Sequence, residues 1–217
     1  MTRKSIPFAG ATMVAALSAA LSLPHPATAA AQPGAASTHE EDRVARTRID
    51  GEGATLEVAF DPDGERLAVR YRISNTGHAP LAVFDRGDRH AVLTGRLKAG
   101  EVPAPHFEQA DDVSLTLSHV ARALPQPTPT VPPVPLATRL APGASVDGAF
   151  EFDLSLAVGL ERVRWCLGVA PFDETTFEAS ESEGEVAVWT ASFDVAESQQ
   201  RLCTPWFDVA AGGFEAD

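Results

Sequence analysis

The sequence predicts an all-β fold of the sandwich type, and three observations carry that expectation. Apolar and polar residues alternate over many short runs from Ala54 onward, the period of a half-buried strand. Gly, Pro, Asn and Asp clusters separate the runs, as turns between strands require. Beyond the N-terminal segment no stretch sustains a long 3.6-residue apolar period. The helical readings are a turn or two near 155–160 or 196–200. Many short strands of this kind pack as a sandwich or barrel, and 49–217 suits one large domain.

Residues 1–29 read as a signal peptide. Arg3 and Lys4 supply positive charge, and an apolar stretch runs from about Ile6 to Leu23. Pro24 and Pro26 end it, and the small residues of "ATAAA" offer a cut after Ala29 or Ala31. An uncleaved anchor is the alternative. No Cys follows the cut region, which argues against a lipid anchor, and no later segment has transmembrane length. Residues 30–48 read as a flexible leader of Ala, Gln, Pro, Gly, Ser and charged residues.

The pattern begins with "ATLEVAF", where Leu56, Val58 and Phe60 alternate with Thr55, Glu57 and Ala59. "DPDGE" makes the turn, and "RLAVRYRISN" returns with Leu67, Val69, Tyr71 and Ile73 on one face. Together they form a β-hairpin signal. "PLAVF" and "HAVLTGRL" are the next candidate strands, with Arg86-Gly87-Asp88 as a polar turn between them. In "VSLTLSHV", Val113, Leu115 and Leu117 share one face. His119 has their parity, so partial burial near the strand end is expected.

"PQPTPTVPPVP" (125–135) has the composition of an extended polyproline II path. It reads as a long proline-rich crossover loop within one domain, because each half alone would hold too few strands. "SVDGAFEFDL" puts Val146, Phe150, Phe152 and Leu154 inward, and Asp147, Glu151 and Asp153 outward. "RVRWCLGVA", "EVAVWTASFDV" and "RLCTPWFDV" complete the strands.

"YRISNTGHAPLAV" resembles the strand–turn–strand passage of bacterial immunoglobulin-like modules. "RLAPGASVDGAFEF" resembles the turn leading into a later strand of the same modules. Such modules include cell-adhesion-related domains and a group of bacterial proteinase inhibitors. The resemblance covers about 60–155 and implies an immunoglobulin-like antiparallel β-sandwich. It carries no functional residues. It implies that the strands at 66–74 and 145–154 are neighbours in one sheet, with Arg66, Arg70 and Arg72 facing Asp147, Glu151 and Asp153. Such cross-strand pairs contribute roughly 0.2–1 kcal/mol each and help select register.

The chain's two cysteines are Cys166 and Cys203. In an exported protein an even count reads as a disulfide bond, worth about 3–4 kcal/mol in the chain-entropy model. A redox pair would need closer spacing or a low-pKa setting. A metal site would need more ligands. Alternation puts Val163, Trp165, Leu167 and Val169 toward the core and Cys166 away from it. Cys203 is read on one face with Phe207, opposite Leu202 and Trp206. The bridge is therefore expected on the outer face of the second sheet. Pro205 makes the Cys203 strand an edge or an irregular one.

No nucleophile elbow, zincin helix or phosphate-cradling loop is present. After the signal the chain has no Met, and Lys98 is its single Lys. A net charge of −13 argues against nucleic acid and anionic membrane as partners. The histidines His39, His78, His90, His106 and His119 are scattered. A metal site could gather His90 and His106 with Glu108 or Asp111; loop histidines in solvent are the plainer reading. "FDPDGER" resembles the start of a calcium loop, but a hairpin turn explains it. The acidic stretch 172–185, with Asp173, Glu174, Glu178, Glu181 and Glu183, is a cation candidate or a solvated loop. Arg86-Gly87-Asp88 is an adhesion mimic or a turn. Trp165 reads as core. Trp189 and Trp206 read as half-buried, which leaves sugar stacking as an alternative.

The resulting expectation is a non-catalytic binding or accessory protein of the bacterial cell envelope, periplasmic or secreted, without cofactor or metal. Its partner would be a protein or envelope component. Its surface would be loops 85–90 and 104–112 with the proline-rich segment. A proteinase inhibitor and a metal-binding or enzymatic sandwich are the alternatives.

Overall fold

The structure is a computed structural model and describes residues 43–157, 159–179 and 187–216. The segment read as a signal peptide, most of the stretch read as a leader, with His39, and Glu181 and Glu183 of the acidic stretch lie outside the described residues. Within them the chain folds as an all-β sandwich of two packed sheets. Among the described residues no helix is long and apolar enough to cross a membrane.

The first sheet holds β1 (Ala45–Gly51), β2 (Ala54–Asp63), β3 (Arg66–Asn75) and, after four strands of the other sheet, β8 (Ser145–Asp153). Their order is β1-β2-β3-β8, antiparallel throughout. The second sheet holds β4 (Leu81–Val83), β5 (His106–Asp111), β6 (Ser114–His119), β7 (Leu136–Leu140) and β9 (Arg162–Pro171). Its later strands are β10 (Phe177–Ala179), β11 (Val188–Ala191), β12 (Gln200–Cys203), β13 (Phe207–Asp208) and β14 (Gly213–Phe214). Two short helices, α1 (Arg89–Leu93) and α2 (Val195–Ser198), and a 3-10 turn at Leu154–Leu156 complete it. The turn at 154–156 and α2 fall close to the two places where the sequence suggested helix.

Strand β9 organises the second sheet. One edge takes β6, in parallel, and then β4; the opposite edge takes β13 and then β12. The proline-rich segment links β6 to β7, two strands of this same sheet, without regular structure over most of its length.

The alternating residues meet between the layers. Leu56, Phe60, Leu67, Val69 and Ile73 of the first sheet are fully buried against Leu117, Val163, Trp165 and Leu167 of the second. Each such side chain contributes about 1.5–3 kcal/mol by leaving water. The outer face of the second sheet carries its own small cluster, Phe84, Phe172 and Phe177 among alanines. That is why "PLAVF" reads as a continuous apolar run: Val83 faces one cluster and Phe84 the other.

The expected register is present. Arg66 opposes Asp153 and Arg72 opposes Asp147. Arg72 holds Asp147 through two 2.8 Å bonds, while Arg66 reaches Glu151 at 3.8 Å. Arg70 turns the other way, to Asp61 of β2 at 3.0 Å. Cys166 and Cys203 are directly opposite across β9 and β12 and form a disulfide. Trp165 points into the core and the bridge lies on the outer face, beside Arg164 and Arg201.

Four expectations need correction. Strand β1 starts at Ala45, inside the stretch read as leader; its half-buried face is only Ala45, Thr47, Ile49 and Gly51, too weakly apolar to announce a strand. "HAVLTGRL" is helical at its start, because Asp88 caps α1 by accepting the Ala91 N–H at 2.8 Å. Strand β5 occupies 106–111, read as loop; all six of its residues are exposed, so no apolar alternation marks it. Phe207 does not share a face with Cys203. The chain leaves the ladder after Cys203, and Phe207 re-enters facing the core with Leu202. Pro205 sits in that break.

Candidate functional site

The turn Asp85-Arg86-Gly87-Asp88 follows β4, and it is not an exposed tip. Asp85 is 0% exposed and Arg86 4%. A buried pair of this kind must be satisfied on all sides or it is costly. Here it is satisfied. Tyr71 of β3 donates its hydroxyl to Asp85 Oδ2 at 2.6 Å, crossing from the first sheet to the second. Arg86 Nε lies 3.3 Å from Asp85 Oδ1 and donates to Thr138 Oγ1 of β7 at 2.9 Å. Burial pushes the Asp85 carboxyl up from its usual range, opposed by the Arg86 charge and the Tyr71 bond. Burial, then the neighbouring Asp85, raises the Tyr71 phenol. Gly148 opposes Tyr71 on β8, and a Cβ there would collide with the Tyr71 ring.

A second buried chain runs beside the first. Tyr71 packs on Trp165 with ring centres 4.8 Å apart. Trp165 Nε1 donates to His119 Nδ1 at 3.0 Å, and His119 Nε2 lies 3.0 Å from the Pro103 carbonyl. An indole N–H can only donate and a carbonyl can only accept, so His119 is the neutral Nε2–H tautomer. Burial lowers its pKa to about 4. Both ring nitrogens are committed. Among the described residues no buried side-chain polar atom lacks a partner.

His119 and Pro103 of the second chain line a cavity of about 400 Å³, and Phe84 and Gly87, which flank the buried Asp85–Arg86 pair in sequence, line it too. Its walls come from Phe84, Ala91 and Leu97 on one side, and from Pro125, Pro133 and Pro135 of the proline-rich segment on the other. The two sides are tied at the base. Arg89 N–H donates to the Val134 carbonyl at 2.9 Å, and Leu136 N–H donates to the Gly87 carbonyl at 2.9 Å. Gly87 has φ +72, and a Cβ there would meet Leu97 at 2.8 Å, so this close approach requires glycine. The segment leading out of β6 is held by Gln199, whose amide exchanges bonds of 2.9 and 2.7 Å with the backbone of Ala121.

His106, Arg122 and Arg96 also line the cavity. Arg122 lies 3.1 Å from His106 Nδ1; a guanidinium only donates, so that nitrogen accepts and His106 is neutral. Partial burial and then the Arg122 charge lower the His106 pKa.

The other residues singled out in the sequence do not converge there. His78 is exposed between β3 and β4, and His90 lies on α1 outside the cavity lining. Glu108 is exposed on β5, and Asp111 lies 3.6 Å from Arg162. Among the described residues no three His, Cys, Asp or Glu side chains come together to hold a metal ion. Asp61, in the calcium-like turn, pairs with Arg70, and Asp173 accepts the Thr175 N–H at 2.8 Å. Trp189 and Trp206 are half-buried; Trp206 lies under Arg164, whose guanidinium is 4.5 Å from the ring centre.

Sequence reasoning pointed to the loops and the proline-rich segment but not to the buried pair beneath them. Asp85 and Arg86 look like turn residues, and their burial comes from β3 and β7, distant in sequence. No protein-family model matches this chain, and no curated protein and no solved structure matches it either.

Proposed function

We propose that this chain is an exported, non-catalytic binding or accessory protein of the cell envelope, working in the periplasm or outside the cell, and that the cavity at the sandwich end is its binding site. The disulfide fits an oxidising compartment. The observation that carries the reading is the preformed cavity, in whose wall the His119 ring is fully hydrogen-bonded. A volume of about 400 Å³ with apolar walls and few polar groups is typical of ligand sites. Two buried titratable groups near the cavity are spent on structure: His119 has no free nitrogen and Asp85 is closed off from solvent. A general base needs a lone pair within reach of substrate.

The test is native mass spectrometry of protein purified through its own export route, comparing wild type with Ala91→Trp, which fills the cavity. The reading expects a one-to-one adduct on the oxidised wild-type chain, absent from the variant. A bare wild-type chain, or an adduct that survives the substitution, contradicts it.

A proteinase inhibitor is the second reading, supported by residues 125–131, which stand exposed with Val131 at 50% above the anchored Val134 and Pro135. It expects a stoichiometric protease complex in which this segment stays uncut, and prompt cleavage there would remove it.

A further inference from the structure

The cavity gathers two arginines against one acid in a chain that is acidic as a whole. The chain carries 30 Asp and Glu against 17 Lys and Arg. Arg48, Arg66, Arg70, Arg72, Arg139 and Arg162 each have a carboxylate within 4.0 Å. Arg96 and Arg122, at the cavity, form no ion pair among the described residues, a state they share with Arg43, Arg46, Arg89, Arg164 and Arg201; what sets them apart is that both line one apolar hollow. Arg96 spends its Nε on Thr94 at 3.1 Å, and Arg122 donates to a neutral imidazole. Asp88 is the single acidic residue of the lining, and its Oδ1 is occupied by the α1 cap. The rest of the wall is largely apolar. Two guanidiniums against one carboxylate leave the lining net positive beside apolar walls, which suits a ligand of matching polarity.

We propose that the cavity binds small amphipathic organic anions, the apolar body entering between Leu97, Pro103 and Pro133 and the anionic head meeting Arg96 and Arg122. This rests on the binding reading above and adds the ligand class. A cationic or metal ligand is disfavoured, because the imidazoles at the cavity offer no free donor set beside two positive charges. The guanidiniums are exposed, so their contribution is screened by salt.

The experiment is isothermal titration of the full exported chain with octanoate, 1-octanol and octyltrimethylammonium. Octanoate is expected to bind one-to-one, 1-octanol about tenfold more weakly, as loss of one charge-assisted contact implies, and the cation not at all. Arg96→Gln with Arg122→Gln should remove the preference, bringing octanoate down to the affinity of 1-octanol for the same variant. Both side chains are exposed, so the fold should tolerate the change, and retained thermal unfolding of the variant checks that. Equal affinity for octanoate and 1-octanol, or a preference that survives the double substitution, overturns the anion assignment and leaves the binding reading standing. No saturable binding of any of the three, by a chain that still unfolds cooperatively, overturns the ligand class; the binding reading falls with it only if the wild-type chain also carries no cavity adduct in native mass spectrometry.

Discussion

Two sets of arginine–carboxylate contacts hold this molecule, and they do different work. On the outer face of the first sheet, Arg72 meets Asp147 and Arg66 meets Glu151 in full contact with water. At the sandwich end, Arg86 meets Asp85 with both side chains sealed from solvent. The exposed pairs are worth little because water and salt compete for them. Their use is to favour one register of β3 on β8. The buried pair has no water to fall back on, so each group depends on the other and on Tyr71 and Thr138. It ties the turn that leads to Gly87 and Asp88, two residues of the cavity lining, to β3 and β7. The comparison teaches that depth, rather than residue type, decides whether an ion pair tunes the register or holds a site.

The largest expected effect breaks the buried side of this comparison. Asp85→Ala leaves Arg86 charged and unpaired in the interior, which should cost about 3–5 kcal/mol. Denaturant unfolding measures it, and a change under 1 kcal/mol would show that water reaches the pair. Close behind is Cys166→Ser with Cys203→Ser. It frees a loop spanning 37 positions, and the chain-entropy model gives a loss of about 4 kcal/mol. The bridge lies away from the cavity lining, so ligand adducts should persist in whatever fraction stays folded.

The third effect is a pH dependence. His119 has a folded pKa of about 4, below the unfolded value. Between about pH 4 and 6.5 the unfolded chain therefore binds more protons than the folded one, and stability falls as pH drops through that window. The full shift corresponds to about 3 kcal/mol. His119→Gln should flatten this part of the unfolding curve; an unchanged slope would assign it to another group. The smallest effect sharpens the exposed side. A double-mutant cycle on Arg72 and Asp147 should return no more than about 1 kcal/mol, shrinking in salt. A coupling above 2 kcal/mol would erase the distinction between the two regions.

Legibility follows the same division by depth. The outward arginines of β3 and the acids of β8 stand on strict alternation, so strand period alone displayed them. The cysteine pairing and the core position of Trp165 are legible in the same local pattern and in the even cysteine count. His119 was placed at a buried strand end by parity with Leu117. The buried pair was hidden, because Asp85-Arg86-Gly87-Asp88 has the composition of any polar turn. Helix α1 did carry a signal. Asp88 stands at the N-cap and Gly95, with φ +69, follows the last turn, a combination that separates a short helix from a short strand. Strand β5 carried none, because its exposed edge position imposes no apolar period.

His119 is a fixed part of the cavity wall and not a reactive group. The most direct test is the titration of its ring nitrogens, followed by ¹⁵N NMR from pH 8 to 3. The account predicts a neutral Nε2–H imidazole throughout the neutral range, with a midpoint near pH 4 and the Trp165 indole N–H protected alongside it. A midpoint near 6.5, the value of a solvated imidazole, or an Nδ1–H tautomer would contradict it. Either result would return His119 to the candidates for chemistry.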